Sequence, residues 1–258
     1  MKETIVKHLQ EIEASEGVVA FYACESGSRA WGFPSADSDY DVRFLYINSL
    51  NWYLSILEKR DVIERPLEQN LDINGWDLKK ALGLFRKSNP PLFEWLNSPI
   101  VYEEKFTIAA QMRELAKIYY SPLACVQHYL HMAQGNLREY LKGERVWIKK
   151  YFYVLRPILA IKWIEQGLGV APTVFGTLLE QCLPEGVLKD EINKLIELKS
   201  MGAELDYRDR IPVISDFIEK EIARLEGELN QFKSDPVPVD VVDDLFRQAL
   251  KEVWGHSI

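Results

Sequence analysis

The sequence predicts an α/β N-terminal domain over residues 1–105 and an all-α C-terminal domain over residues 106–258. Two observations carry that reading. Short β-favouring runs alternate with helical stretches up to about residue 105, and helical periodicity dominates from Phe106 onward. No internal repeat or low-complexity tract interrupts either part, so the boundary is a change of secondary-structure type rather than a linker.

The elements follow in order. Ile5, Val6, Leu9 and Ile12 recur near helical spacing among charged residues, which predicts an amphipathic helix over 3–15 stopped by Gly17. Val18–Cys24 and Asp41–Ile47 read as strands. Arg60–Glu64 and Asn70–Ile73 read as two shorter strands joined by a turn around Pro66. Asp77 is placed to cap a helix over Leu78–Lys87, and Asn89-Pro90-Pro91 is expected to end it. Helices are expected near 107–118, 122–141, 145–166, 186–201 and 210–231, punctuated by Gly143, Gly167, Gly169 and Pro184. A last helix, Val239–Trp254, follows the break Asp235-Pro236-Val237-Pro238, and the acidic run from Asp240 to Asp244 suits its first turn.

Composition narrows the function classes. Apolar residues make up 47% and charged residues 27% of 258, ordinary for a globular chain, and no run is apolar enough to cross a membrane. The charged N-terminus lacks a signal-peptide core. Cys24, Cys125 and Cys182 have no metal-ligand spacing, so the reading is buried thiols in a reducing cytoplasm. A net charge of −8 argues against holding nucleic acid by bulk electrostatics and leaves room for a local basic cleft.

The chemistry concentrates in Gly27-Ser28-Arg29-Ala30-Trp31-Gly32-Phe33-Pro34-Ser35-Ala36-Asp37-Ser38-Asp39-Tyr40-Asp41-Val42. Residues two apart on a strand share a face, so Asp39 and Asp41 can aim at one point in front of the Gly27-Ser28 turn. Free backbone N–H groups at such a turn favour phosphate, with Ser28 and Arg29 as added donors. Paired carboxylates beside a phosphate cradle suit divalent ions, which take oxygen ligands and assist in-line displacement at phosphorus. A lone Asp-x-Asp is a solvated turn in most chains; the conjunction of strand, Gly-Ser, gap, Asp-x-Asp and strand is what gives it meaning. A third carboxylate should come from a neighbouring strand. Asp72, between Leu71 and Ile73, is the choice; Asp77 is better explained as a helix cap, and Glu64 is a further candidate.

Lys150 and Arg156 lie in the otherwise apolar stretch 146–164 and are candidates for reaching phosphate, against the plainer reading of surface or packing cations. Trp31 and Tyr40 flank the motif and could stack on a base. His128 and His131, one turn apart without a third ligand, read as ordinary helix positions.

Ser26-Gly27-Ser28 with Asp39-Tyr40-Asp41-Val42 resembles the signature of the DNA polymerase β-type nucleotidyltransferase superfamily. Glu25–Gly32, Ser38–Arg43, Asp77–Lys80, Ser88-Asn89-Pro90 with Glu94-Trp95-Leu96, Lys149-Lys150-Tyr151 and Leu155-Arg156-Pro157 resemble, more closely, the RNA-repair-associated RlaP or YcgL-like group. The resemblance implies an α/β N-terminal nucleotidyltransferase domain with a short mixed sheet and an all-α domain closing over the nucleotide. It implies a Mg²⁺-dependent enzyme, with Mn²⁺ as an alternative, that moves a nucleoside monophosphate from a triphosphate such as ATP to an acceptor hydroxyl. Asp39, Asp41 and Asp72 would hold metal; Gly27, Ser28, Arg29, Lys150 and Arg156 would hold nucleotide. RNA is the expected acceptor. A protein side chain, a small molecule, or a non-catalytic nucleotide-binding regulator are the alternatives.

Overall fold

A computed structural model describes residues 1–68, 70–202, 205–232 and 238–255. Its contacts divide the chain into two compact units, one formed by Met1–Ala30, Asp39–Tyr120 and Pro236–Ile258, the other by Trp31–Ser38 and Ser121–Asp235.

The first unit is built on a five-stranded mixed sheet of order β3-β4-β2-β1-β5, with β1 Val19–Glu25, β2 Tyr40–Ile47, β3 Val62–Glu68, β4 Leu71–Asp77 and β5 Val101–Glu104. Only β2 and β4 run parallel. Helix α1 (Lys2–Glu16) ends where Gly17 turns left-handed at φ 66° and its N–H bonds Glu13 O. Its apolar stripe, Ile5, Leu9 and Ile12, packs with Val42, Phe44, Tyr46, Leu71 and Ile73. Each such side chain contributes about 1.5–3 kcal/mol on burial. Alternation then turns Asp41, Arg43, Asp72 and Asn74 to the opposite face of the same strands. That face carries chemistry because the other is committed to α1.

Pro66 lies within β3 and not in the turn expected of it. The strand is an edge, where a missing N–H costs no ladder bond, and the register slips between Arg65 and Glu68. The connection falls at residues 69–70, of which 69 lies outside the described residues.

After β4, Asp77 caps α4 (Leu78–Arg86) by accepting from Lys79 N at 2.8 Å, as expected. Asn89 does more than end a helix. It caps a new one, α5 (Pro90–Leu96), accepting from Leu92 N, with proline in the first turn where no N–H is needed. Trp95 of α5 stacks on Trp76 of β4 at 3.7 Å. Helix α6 (Ile108–Ile118) and the last helix, α12 (Val239–Trp254), complete this unit. The expected break at 235–238 lies outside the described residues but for Pro238. A short α3 (Leu50–Tyr53), α2 (Gly27–Trp31) and β5 carry too few residues for periodicity to reveal.

The second unit is mainly helical: α7 (Pro122–Tyr140), α8 (Lys150–Glu165), α9 (Phe175–Cys182), α10 (Val187–Ser200) and α11 (Pro212–Glu228). Within it β6 (Arg145–Trp147) and β7 (Tyr207–Asp209) form a two-stranded ribbon. Residues 145–147 therefore pair as a strand where a continuous helix was expected, and the helix starts at Lys150. The trio Arg-Val-Trp is β-favouring, and its partner strand is remote in sequence, beyond the reach of a local reading. No helix among the described residues is long and apolar enough to cross a membrane.

Gly75 lies opposite Phe44 in the parallel ladder, and a β-carbon there would overlap the Phe44 ring. Gly75→Ala is expected to destabilise the first unit by about 1–3 kcal/mol in urea unfolding. Phe44→Leu in the same chain should recover part of that loss.

Candidate active site

The site grows from the β1–β2 pair. Strand β1 ends at Glu25, and Ser26 N donates to Asp41 O at 2.8 Å, holding the turn against β2. Gly27 opens α2 at φ 58°, a region that disfavours side chains. A β-carbon on Gly27 would also overlap Asp41 Oδ2. The glycine is thus required twice, by its dihedral and by the carboxylate seated against it.

Asp41 and Asp72 face each other across one rung of the parallel β2–β4 ladder. Arg43 stands between them. Its Nη2 donates to Asp72 Oδ2 at 2.7 Å and Asp41 Oδ1 at 3.3 Å, and its Nη1 to Val42 O at 3.0 Å and Asp72 O at 3.2 Å. Two carboxylates therefore share one positive charge.

Asp39 lies one residue ahead of β2, exposed, so strand alternation does not fix its side chain as it does for Asp41. Its carbonyl accepts from Arg29 Nε at 3.1 Å. The Arg29 guanidinium sits 3.8 Å from the centre of the Tyr40 ring. Arg29, expected to meet phosphate, and Tyr40, expected to stack on a base, thus lie against each other. Ser28 follows Gly27 in α2, half-buried.

Two residues that the expected site omits are part of this geometry. Arg43 is one; it lies two positions after Asp41, so strand alternation had already placed it on the same face. Glu25 is the other. Fully buried, it accepts from Asp41 N at 2.7 Å and from the Tyr102 hydroxyl. Burial pushes its carboxyl above the ordinary range, against the pull of those two donors. Its signal was a lone acid ending an apolar strand, immediately before the glycine turn.

Lys150 and Arg156 both belong to the second unit. The Lys150 ammonium rests against three rings, 4.1 Å from Tyr140, 4.7 Å from Tyr153 and 5.3 Å from Trp147. Arg156 is 2% exposed, 5.3 Å from the Trp31 ring, and reaches the carbonyls of Pro172 and Thr173 at 3.5 Å. Those contacts all lie within that unit. Trp31 packs there too, against Phe33 and Tyr153.

Among the described residues no three His, Cys, Asp or Glu side chains are gathered as a metal-ligand set. The donor chemistry nevertheless suits a hard divalent ion. Asp41 and Asp72 offer only oxygen, and both already converge on one cationic nitrogen. Asp77, weighed against Asp72, is fully buried; Asn48 Nδ2 and the Tyr53 hydroxyl donate to its Oδ2 at 2.9 and 2.7 Å. It is a structural cap and not part of this rung.

The RlaP family model, described as "RNA repair pathway DNA polymerase beta family", matches residues 1–248. The chain belongs to that family. It is therefore a member of the polymerase β-like nucleotidyltransferases, as its motif implied. The YcgL protein of Bacillus subtilis (strain 168), described as uncharacterized, is 51% identical over 257 residues, covering 98% of each chain. A solved structure, the nucleotidyltransferase-like protein from Exiguobacterium sibiricum 255-15, is 14% identical. It covers 98% of this chain and 80% of its own, at a TM-score of 0.30.

Gly27→Ala is expected to cost about 1–2 kcal/mol for its left-handed dihedral. Because the new methyl would also overlap the Asp41 carboxylate, the loss read by urea unfolding should exceed that figure, and should shrink when Gly27→Ala is made together with Asp41→Ala. Asp77 supplies a pH test. Burial raises its pKa, so the folded chain holds that proton more readily than the unfolded one. The resulting stability is present below about pH 4 and is lost as pH rises through the raised value. Asp77→Asn keeps a capping oxygen and removes this titration. The urea midpoint of the wild-type chain should therefore fall relative to the variant as pH rises from about 4.

Proposed function

We propose that this chain transfers a nucleoside monophosphate from ATP to a hydroxyl at an RNA end, using Mg²⁺ or Mn²⁺. The observation that carries the reading is the convergence of Gly27, Asp41 and Asp72 on the sheet face opposite α1. The family description, with its RNA repair pathway, supports the acceptor class.

Asp41 and Asp72 would hold the metal, with Asp39, one residue ahead of β2, as a further ligand. A bound divalent ion supplies charge neutralisation and a more acidic acceptor hydroxyl. The residues themselves do the rest. Gly27 and Ser28 would offer backbone N–H groups to the β- and γ-phosphates at the start of α2, with the Asp41 carboxylate seated beside Gly27. Asp72, the more exposed of the rung pair, would take the acceptor proton. Arg43 offsets the repulsion of the two carboxylates when no other cation is present, and its guanidinium is the group that an incoming divalent ion must replace or share. Glu25 fixes the Asp41 backbone from behind.

The test is incubation with Mg²⁺ and α-labelled ATP, with and without RNA. Pyrophosphate release and RNA labelling are expected in the wild-type protein. Each should fall at least about 100-fold in Asp39→Ala and Asp41→Ala, more than an outer-shell loss produces. Label on a protein band in place of RNA would overturn the acceptor assignment. ATP binding without pyrophosphate release would overturn the enzyme.

A further inference from the structure

The ribbon of the second unit presents an arrangement with no part in the site above. In register, Trp147 lies beside Tyr207, Val146 beside Arg208 and Arg145 beside Asp209. Val146 is fully buried and anchors the ribbon. Trp147 and Tyr207 stack at 5.9 Å with planes 24° apart, and Tyr140 meets Trp147 edge-on at 5.6 Å. Tyr207 remains 53% exposed and Tyr153 36% exposed, so aromatic surface faces solvent although a core would gain from its burial.

Cations are interleaved with these rings. Lys150 lies among Tyr140, Trp147 and Tyr153, while Arg145 Nη2 donates to Tyr207 O at 2.9 Å. Lys149 is exposed at the N-terminus of α8, where no side chain caps the helix. Arg145, Lys149 and Lys150 have no carboxylate partner among the described residues. Behind them Lys199, 8% exposed, lies 5.6 Å from the Phe33 ring. Burial, and then the Lys149 charge, pull its ammonium below the ordinary range. In a chain of net charge −8, such a group of cations without counter-ions repels itself and favours an anion. Glu144 and Asp209 lie at the Arg145 end of the ribbon and exposed Asp206 precedes Tyr207 at the other, and among the described residues none forms an ion pair with Arg145, Lys149 or Lys150.

We propose that the β6–β7 ribbon and the first turn of α8 bind single-stranded RNA, with an unpaired base stacked on Tyr207 and backbone phosphates on Arg145, Lys149 and Lys150. Exposed rings beside unpaired cations suit a single strand, whose bases are free to stack; a duplex hides those faces. The choice of RNA rests on the acceptor proposed above. The surface gives this otherwise acidic protein a local means of holding that acceptor.

The experiment is fluorescence anisotropy with a short labelled oligoadenylate, without nucleotide or divalent metal, across a salt series. Tyr207→Ala should weaken binding about ten-fold, and Tyr207→Phe should retain it. Lys149→Ala should lower the slope of log affinity against log salt by about one. Both residues are exposed, and circular dichroism checks that each variant folds. Unchanged binding by Tyr207→Ala, an unchanged salt slope, or tighter binding of a hairpin duplex would overturn the proposal. Pyrophosphate release by the wild-type protein is read separately, so the failure of this surface is distinguishable from failure of the transfer reading.

Discussion

Two aspartates across one rung of a parallel ladder repel each other, and the site depends on how that repulsion is met. Asp41 and Asp72 are held on one side of β2 and β4 because Val42, Phe44, Leu71 and Ile73 are committed to α1 on the other. Register leaves the two acids no means of separating. Arg43, on the same face by the same alternation, supplies the positive charge and also ties β2 to the β4 backbone through Asp72 O.

The surroundings of Asp41 constrain it from three further directions. Glu25 takes its N–H, Ser26 N donates to its carbonyl, and Gly27 leaves its carboxylate room. Each contact comes from the segment where β1 ends and α2 begins. The Tyr102 hydroxyl, from the edge strand β5, then bonds Glu25. A buried acid with two donors behind a half-exposed one is a rigid support, because releasing any partner leaves a polar group without water.

The chain leaves the sheet unit at Trp31 and returns at Asp39, so the stretch between the glycine turn and the aspartates belongs to the other unit. Phe33 packs there against Phe152 and Phe175 at 4.7 and 5.4 Å, and Trp31 lies beside Arg156. The spacing between Gly27-Ser28 and Asp39 is thus occupied by residues with packing work of their own. The same unit buries α8 almost all round, which is why that helix lacks a polar face from which to read its partners.

Periodicity in the sequence was sufficient for α1, for β1 and β2, for α4 with its Asp77 cap, and for α12 to its terminal residues, since each is fixed by local burial pattern or a local hydrogen bond. The sequence also named Gly27, Asp41 and Asp72, which the fold brings side by side. It misassigned Asn89, read as a terminator because a cap and a stop use the same residue type beside proline. It placed Pro66 in a turn because an edge strand is recognised only once its sheet is known. Ribbon β6–β7 and strand β5 depend on partners far away in the chain. The sequence by itself therefore determined which residues bear charge on the site-facing side of β2 and β4, because alternation is local. Only the tertiary structure decided which of them meet. The Asp41–Asp72 rung, the Arg43 bridge and the Glu25 support are set by strand order and register, and those follow from long-range packing.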